Sequence, residues 1–132
     1  MGNYRDLRVW HAAYGLTLKI YRATASFPVN ERFGLTRQLR SAATSVATNL
    51  AEAGGRSNDG DFRRFVQIAR GSLDEVVCEI ELSRDLGFLA APAAGPLLDD
   101  ANEIGRMLTG LLRAQAKGRS ITRIDRPRTT ND

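Results

Sequence analysis

Six arginines carry the strongest chemical signal in this sequence: Arg37, Arg40, Arg56, Arg63, Arg64 and Arg70. Arginine presents a planar fork of donors that grips two phosphate oxygens at once, so a nucleic-acid backbone is a natural ligand. No aromatic-rich strand or RNA-recognition motif accompanies the six. Binding of this kind is led by phosphates and weakens with salt. The competing reading is ion pairing, within the chain or between copies of it. Other reactive groups are sparse. Glu75 and Glu79 stand four apart on one helical face. Paired carboxylates do acid–base work when burial splits their pKa values; a salt-bridged helix face is the simpler reading. Cys78 is the only cysteine and His11 the only histidine, so a nucleophile would have its base only by accident of packing. A small, partly buried thiol and an exposed or rim imidazole are expected instead. Di-metal bundles use Glu-x-x-His pairs, and no Glu precedes His11 by three. Gly54-Gly55-Arg56-Ser57 resembles an anion-binding turn before a helix, but such a segment is more often only a turn. There is no Walker loop. This inventory gives no catalytic residue, no metal site and no cofactor.

Four helical patterns must position these groups, and no strand pattern interrupts them. The first runs from about Asp6 to Ala25 with two apolar stripes. One is Leu7, Trp10, Tyr14, Thr17, Tyr21 and Thr24; the other is Val9, Ala13, Leu16, Ile20, Ala23 and Phe27. Phe27-Pro28 ends it. The second starts after Asn30, an expected N-cap, and its seam is Leu35, Leu39, Ala42, Val46, Asn49 and Ala53. Asn49 is an amide where a hydrocarbon belongs, and it needs a partner. Gly54-Gly55 closes this helix, with a left-handed cap expected. The third follows the candidate caps Ser57, Asn58 and Asp59 and stops at Gly87. Phe62, Val66, Ala69, Leu73, Val76, Ile80 and Ser83 form its main seam; Phe65, Ile68, Ser72, Glu75, Glu79, Leu82 and Leu86 form a more polar one. The fourth is expected from Pro96 to about Gln115, with Gly118 as its stop. Gly34 and Gly71 suggest places where helices cross closely.

Length and charge bound the answer further. At 132 residues the chain makes one domain: a bundle over 1–118 and a mobile basic tail over 119–132. The net charge is +4, and four arginines against two aspartates place +2 of it in the tail. Basic surface on the bundle must therefore come from segregation of charge. No apolar run approaches the ~20 residues that span a bilayer, so no membrane role is expected. Gly2 lacks the Ser or Thr at position 6 that myristoylation uses; Asp6 stands there. One cysteine and no apolar signal core fit a reducing cytoplasm.

The third helix is polarised against its own dipole. Arg63, Arg64 and Arg70 lie in its first half, and Asp74, Glu75, Glu79, Glu81 and Asp85 in its second. The second helix has Arg32, Arg37 and Arg40 early and Glu52 late. Antiparallel packing sets Glu52 near Arg63 or Arg64, and Arg37 and Arg40 near the acidic half, within one chain or between subunits.

The ordered motifs are specific. Asp6-Leu7-x-Val9-Trp10, Ile20-Tyr21-x-x-Thr24-x-x-Phe27-Pro28 and Glu31-x-Phe33-Gly34-Leu35-x-x-Gln38-x-Arg40 come first. Ala42-Ala43-x-Ser45-Val46-x-x-Asn49-Leu50-Ala51-Glu52, Phe62-x-x-Phe65, Ile68-Ala69-x-Gly71-Ser72-Leu73-x-Glu75 and Leu86-Gly87-Phe88-Leu89 follow. Over about residues 4 to 115 this set resembles the four-helix-bundle proteins encoded in intervening sequences of 23S ribosomal RNA genes. The resemblance implies an all-α, antiparallel up-down-up-down four-helix bundle that assembles as a homo-oligomeric ring, commonly a pentamer. It implies no enzymatic activity. It also implies kinship with basic rings that accompany diversity-generating retroelements and engage RNA and a reverse transcriptase. Two departures stand out. Ser41 takes the place of a second arginine before Ala42-Ala43, and Ala47 stands where a proline is common. Carried over, Asn49, Glu52, Arg56, Ser72 and Glu75 become candidates for a polar network between helices or subunits. The resulting expectation is a non-enzymatic, cytoplasmic assembly protein that meets RNA or a nucleic-acid-processing protein through the six arginines. A protein-interaction scaffold with no nucleic-acid role is the alternative.

Overall fold

The computed structural model describes residues 3–116; the tail assigned to 119–132 lies outside the described residues. The helices are α1 (Arg8–Thr24), α2 (Leu35–Gly54), α3 (Asp59–Asp85) and α4 (Ala91–Ala116), and no strand occurs among the described residues. Short 3-10 turns, Tyr4–Asp6 and Val29–Glu31, precede α1 and α2. Chain direction follows from the links between helices. Thr17 reaches Ala43 while the later Thr24 reaches the earlier Arg40, so α1 and α2 run in opposite senses. Arg63 meets Gln115, and Gly105 lies against Leu73, so α3 and α4 do the same. Ser45 touches Ser72 across a tight turn, so α3 folds back on α2, and that pair makes the most extensive contact. The result is a four-helix bundle around one core, with no helix long and apolar enough to cross a membrane among the described residues.

The stripes place the core, with instructive exceptions. Val9, Ala13, Leu16 and Ile20 of α1 are buried. The companion stripe is buried only in part: Leu7 and Thr24 are buried and Trp10 and Thr17 half-buried, but Tyr14 and Tyr21 are exposed, so the apolar face of α1 is narrower inside the bundle than its sequence suggests. In α2 the core position is Leu50, four residues after Val46, and Asn49 is left half-buried at the rim. The expected main seam of α3, Phe62 to Ser83, is buried throughout. Its second seam faces outward, with Ile68, Leu82 and Leu86 exposed.

The helix ends differ in detail. Asn58 caps α3 by accepting from the Asp61 N–H at 2.8 Å. At the far end the Phe88 N–H bonds the Ser83 carbonyl and the Gly87 N–H bonds that of Arg84. Gly87 sits at φ 81°, so this is a Schellman stop that only glycine makes without strain. It delivers Phe88 against Phe27, ring centroids 5.9 Å apart. Asn30 does not cap α2; the Glu31 carboxylate does, accepting from the Leu35 N–H at 3.0 Å. Helix α4 begins at Ala91, five residues before Pro96. Alanines at 90, 91, 93 and 94 favour helix, and Pro92 falls in the first turn, where its missing N–H costs nothing.

The glycines correct two expectations. A Cβ on Gly71 would meet nothing, and one on Gly34 would meet only Glu31, in the turn just before it, so neither marks a helix crossing. The close approach is at Gly54, where a Cβ would lie 2.6 Å from Tyr4 Cα. Gly55 has φ −91°, so α2 ends without the expected left-handed cap.

Candidate nucleic-acid interface and polar seam

The six predicted arginines do not form one surface. Arg40 belongs to α1: its Nε donates to Thr24 Oγ1 at 2.7 Å and its Nη2 to the Tyr21 carbonyl at 3.2 Å. Its guanidinium lies 4.7 Å from the centre of the Tyr21 ring. A cation there serves the free carbonyls and the negative end of α1. Arg56 pairs with Glu52 at 2.7 Å. Arg56 and Arg64 both lie over Phe65, at 4.7 and 5.1 Å from the ring centre. Arg37 is exposed in a groove between α2 and α3. The expected pairing of α2 with α3 charges is therefore replaced. Glu52 satisfies its own helix, Arg40 turns to α1, and Arg63 turns to α4.

Arg63 and Arg70 open onto a cleft between α3 and α4. Arg63 donates to Gln115 Oε1 at 3.1 Å, and Gln115 in turn donates to the Asp59 carbonyl. Those bonds fix the guanidinium at the cleft floor. Arg70 and Arg113 line the same cavity of about 630 Å³ with Gln67 and Thr109. A continuous second cavity of similar volume adds Arg106, Asn102 and Asp74. Four arginines thus face one aspartate. Arg106 is held by Glu103 at 2.6 Å, whereas Arg70 and Arg113 have no ion-pair partner among the described residues. Attention to the second and third helices alone misses Arg106 and Arg113. The signal that finds them is their spacing, with Thr109, at steps of three and four on one face of α4.

The polar seam is shorter than expected. Ser45 and Ser72 hydroxyls lie 2.8 Å apart, joining α2 to α3. Asn49 Nδ2 donates to the Ser45 carbonyl at 2.8 Å and to its hydroxyl at 3.1 Å. Asn49 and Ser72 therefore meet through Ser45. Glu52 is engaged by Arg56 outside this chain of bonds, and Glu75 is exposed with no hydrogen bond among the described residues. Glu79 is half-buried beside them. Burial, reinforced by Glu75, pushes its carboxyl above the ordinary glutamate range. Its Oε2 is buried without a hydrogen-bond partner.

The remaining reactive groups have structural settings. His11 Nε2 lies 2.7 Å from the Arg5 carbonyl. A carbonyl only accepts, so that nitrogen carries the proton and ties the N-terminal turn to α1. Cys78 is exposed, not partly buried. No cluster of metal-ligating side chains occurs among the described residues.

Residues 5–110 match the 23S rRNA-intervening sequence protein family. The chain belongs to that family. The fold agrees with a solved member of the S23 ribosomal protein family from Bacteroides thetaiotaomicron, itself described as of unknown function. The two superpose with a TM-score of 0.71 over 80% of this chain and 98% of that one, at 22% identity. At that identity the likeness concerns the fold alone. No curated protein matches the sequence.

Proposed function

We propose that this protein is a non-enzymatic, oligomeric, RNA- or nucleoprotein-associated assembly protein of the cytoplasm, and that its α3–α4 cleft is where phosphates bind. The observation that carries this reading is the pair Arg70 and Arg113, unneutralised on facing helices beside the anchored Arg63. A phosphate between them gains two forked donors without breaking an existing ion pair. Arg40 and Arg56 are engaged within the chain and contribute less. The sparse inventory of nucleophiles, bases and metal ligands supports a binding role over catalysis.

The test is a salt titration with a labelled hairpin RNA. Three phosphates neutralised by Arg63, Arg70 and Arg113 give an affinity loss of roughly 20- to 40-fold between about 50 and 200 mM salt. Arg70→Ala and Arg113→Ala each reduce the slope of that plot by about one. Absence of binding at low salt, or an unchanged slope in both variants, overturns the reading. The scaffold alternative draws support from one specific observation, the apolar side chains exposed on the opposite flank of α3.

A further inference from the structure

Three features stand out on α1, α2 and α3. The first is a ridge on α1. Tyr14, Leu18 and Tyr21 step by four and three along one strip and remain 49, 40 and 44% exposed. Arg22 follows Leu18 by one turn and has no side-chain partner among the described residues. Neither tyrosine hydroxyl has a hydrogen bond there either. The second is a groove between α2 and α3 of about 750 Å³. Its floor is short, Ser41, Ala42 and Ser45, so a helix side chain can approach the backbone closely. Phe33 stands at its rim, 72% exposed, and Leu82 continues the outward seam of α3. The third is the Glu79 carboxylate at the groove wall, whose buried oxygen lacks a donor.

An orphaned carboxylate oxygen is costly and calls for a donor. Exposed large hydrophobics grouped on one face call for an apolar cover. The ridge supplies both. It is apolar along its length, and it carries two phenolic O–H groups and a guanidinium. It lies on the α1 side of α2 and the groove on the α3 side, so no chain can fill its own groove.

We infer that the α1 ridge of one copy seats in the α2–α3 groove of a second copy, with Leu18 over the serine floor and a ridge donor on Glu79. This rests on the assembly part of the proposed function and names its contact. The two patches differ, so the contact is head-to-tail and repeats until the ring closes. The α3–α4 cleft lies on the other flank of α3 and stays open in every copy, so assembly multiplies its phosphate contacts.

Mixing tests the inference. Leu18→Glu spoils the ridge and leaves the groove; Ser41→Trp fills the groove and leaves the ridge. Both positions are exposed, so each variant should keep the helical circular dichroism of the wild type and melt cooperatively, at a lower temperature where assembly stabilises the wild type, and Leu18→Ser replaces Leu18→Glu if that chain unfolds. Light scattering after size exclusion should give the wild type several times the 14.5 kDa chain mass and each variant one chain. An equimolar mixture should give a dimer and nothing larger, because it contains one intact ridge–groove pair. A monomeric wild type, a variant that keeps the full mass, or a mixture that stays monomeric each overturns the contact. Arg70→Ala and Arg113→Ala should keep full mass, so loss of RNA binding and loss of assembly are read separately.

Discussion

Gly54→Ala tests how the N-terminal turn is held. The added Cβ falls 2.6 Å from Tyr4 Cα and 2.8 Å from Tyr4 Cβ. Ordinary carbon contacts are about 3.5–4.0 Å, so something must move by about 1 Å. The obstacle is backbone, which cannot swing aside as a side-chain tip does. Overpacking of this kind costs about 1–3 kcal/mol. Alanine in helix gains at most ~1 kcal/mol over glycine, and less at this last helical position. A ceiling comes from the alternative response, in which the Tyr4–Asp6 turn lifts off and exposes Leu7, now fully buried. Full burial of a leucine side chain contributes about 1.5–3 kcal/mol. The net expectation is a loss of about 1–2 kcal/mol, or a Tm lower by roughly 4–8 °C for a chain of this size. Trp10 supplies a local reporter. It is the only tryptophan, and the Tyr4 ring meets its edge at 4.9 Å. Movement of the turn should therefore change its emission while helical dichroism at 20–25 °C stays constant. A variant as stable as the wild type with unchanged Trp10 emission would refute the close packing of Tyr4 on α2. Gly71→Ala is the control: its Cβ meets nothing, so stability should rise by about 0.5–1 kcal/mol.

Other outcomes follow from single groups. The Thr36 hydroxyl is buried without a partner, so Thr36→Val should stabilise by about 1 kcal/mol in urea unfolding; a loss of stability would mean the hydroxyl is bonded. Burial holds the Glu79 pKa above its unfolded value, so the folded state binds that proton more tightly. Its contribution is then full below the ordinary glutamate range and declines as pH rises through the raised value. In the Leu18→Glu background, where the groove is open, Glu79→Gln should be the more stable form at neutral pH and lose that advantage in acid. Glu75 and Arg37 also face the groove, and a pH profile unchanged by Glu79→Gln would refute the assignment to Glu79. Arg40→Ala should cost about 1–2 kcal/mol by stripping the Tyr21 carbonyl and Thr24 of a charged donor, and Arg40→Lys should recover only part of it.

The sequence by itself determined the four helices, the buried seams of α1 and α3 and the glycine stop at Gly87. These follow from periodicity and local backbone preference, which neighbours in sequence decide. The family was legible for the same reason, through ordered motifs that lie mostly on core faces. Partners of long polar side chains were not legible. Arg40 can reach α1 or α3 from the same backbone position, and only the packed bundle shows that it turns to Thr24 and the Tyr21 carbonyl of α1. Arg63 likewise reaches Gln115, fifty-two residues away, across a contact that no local pattern encodes. The α3–α4 cleft exists only because two helices distant in sequence bring Arg70 and Arg113 together. Helical periodicity also cannot say which of two apolar stripes goes inside. Both stripes of α1 fit a wide core face, yet the bundle takes in only part of the second: Leu7 and Thr24 are buried, and Tyr14 and Tyr21 were left on the surface. That choice, made by the available volume between helices, sets the ridge that a second copy would cover.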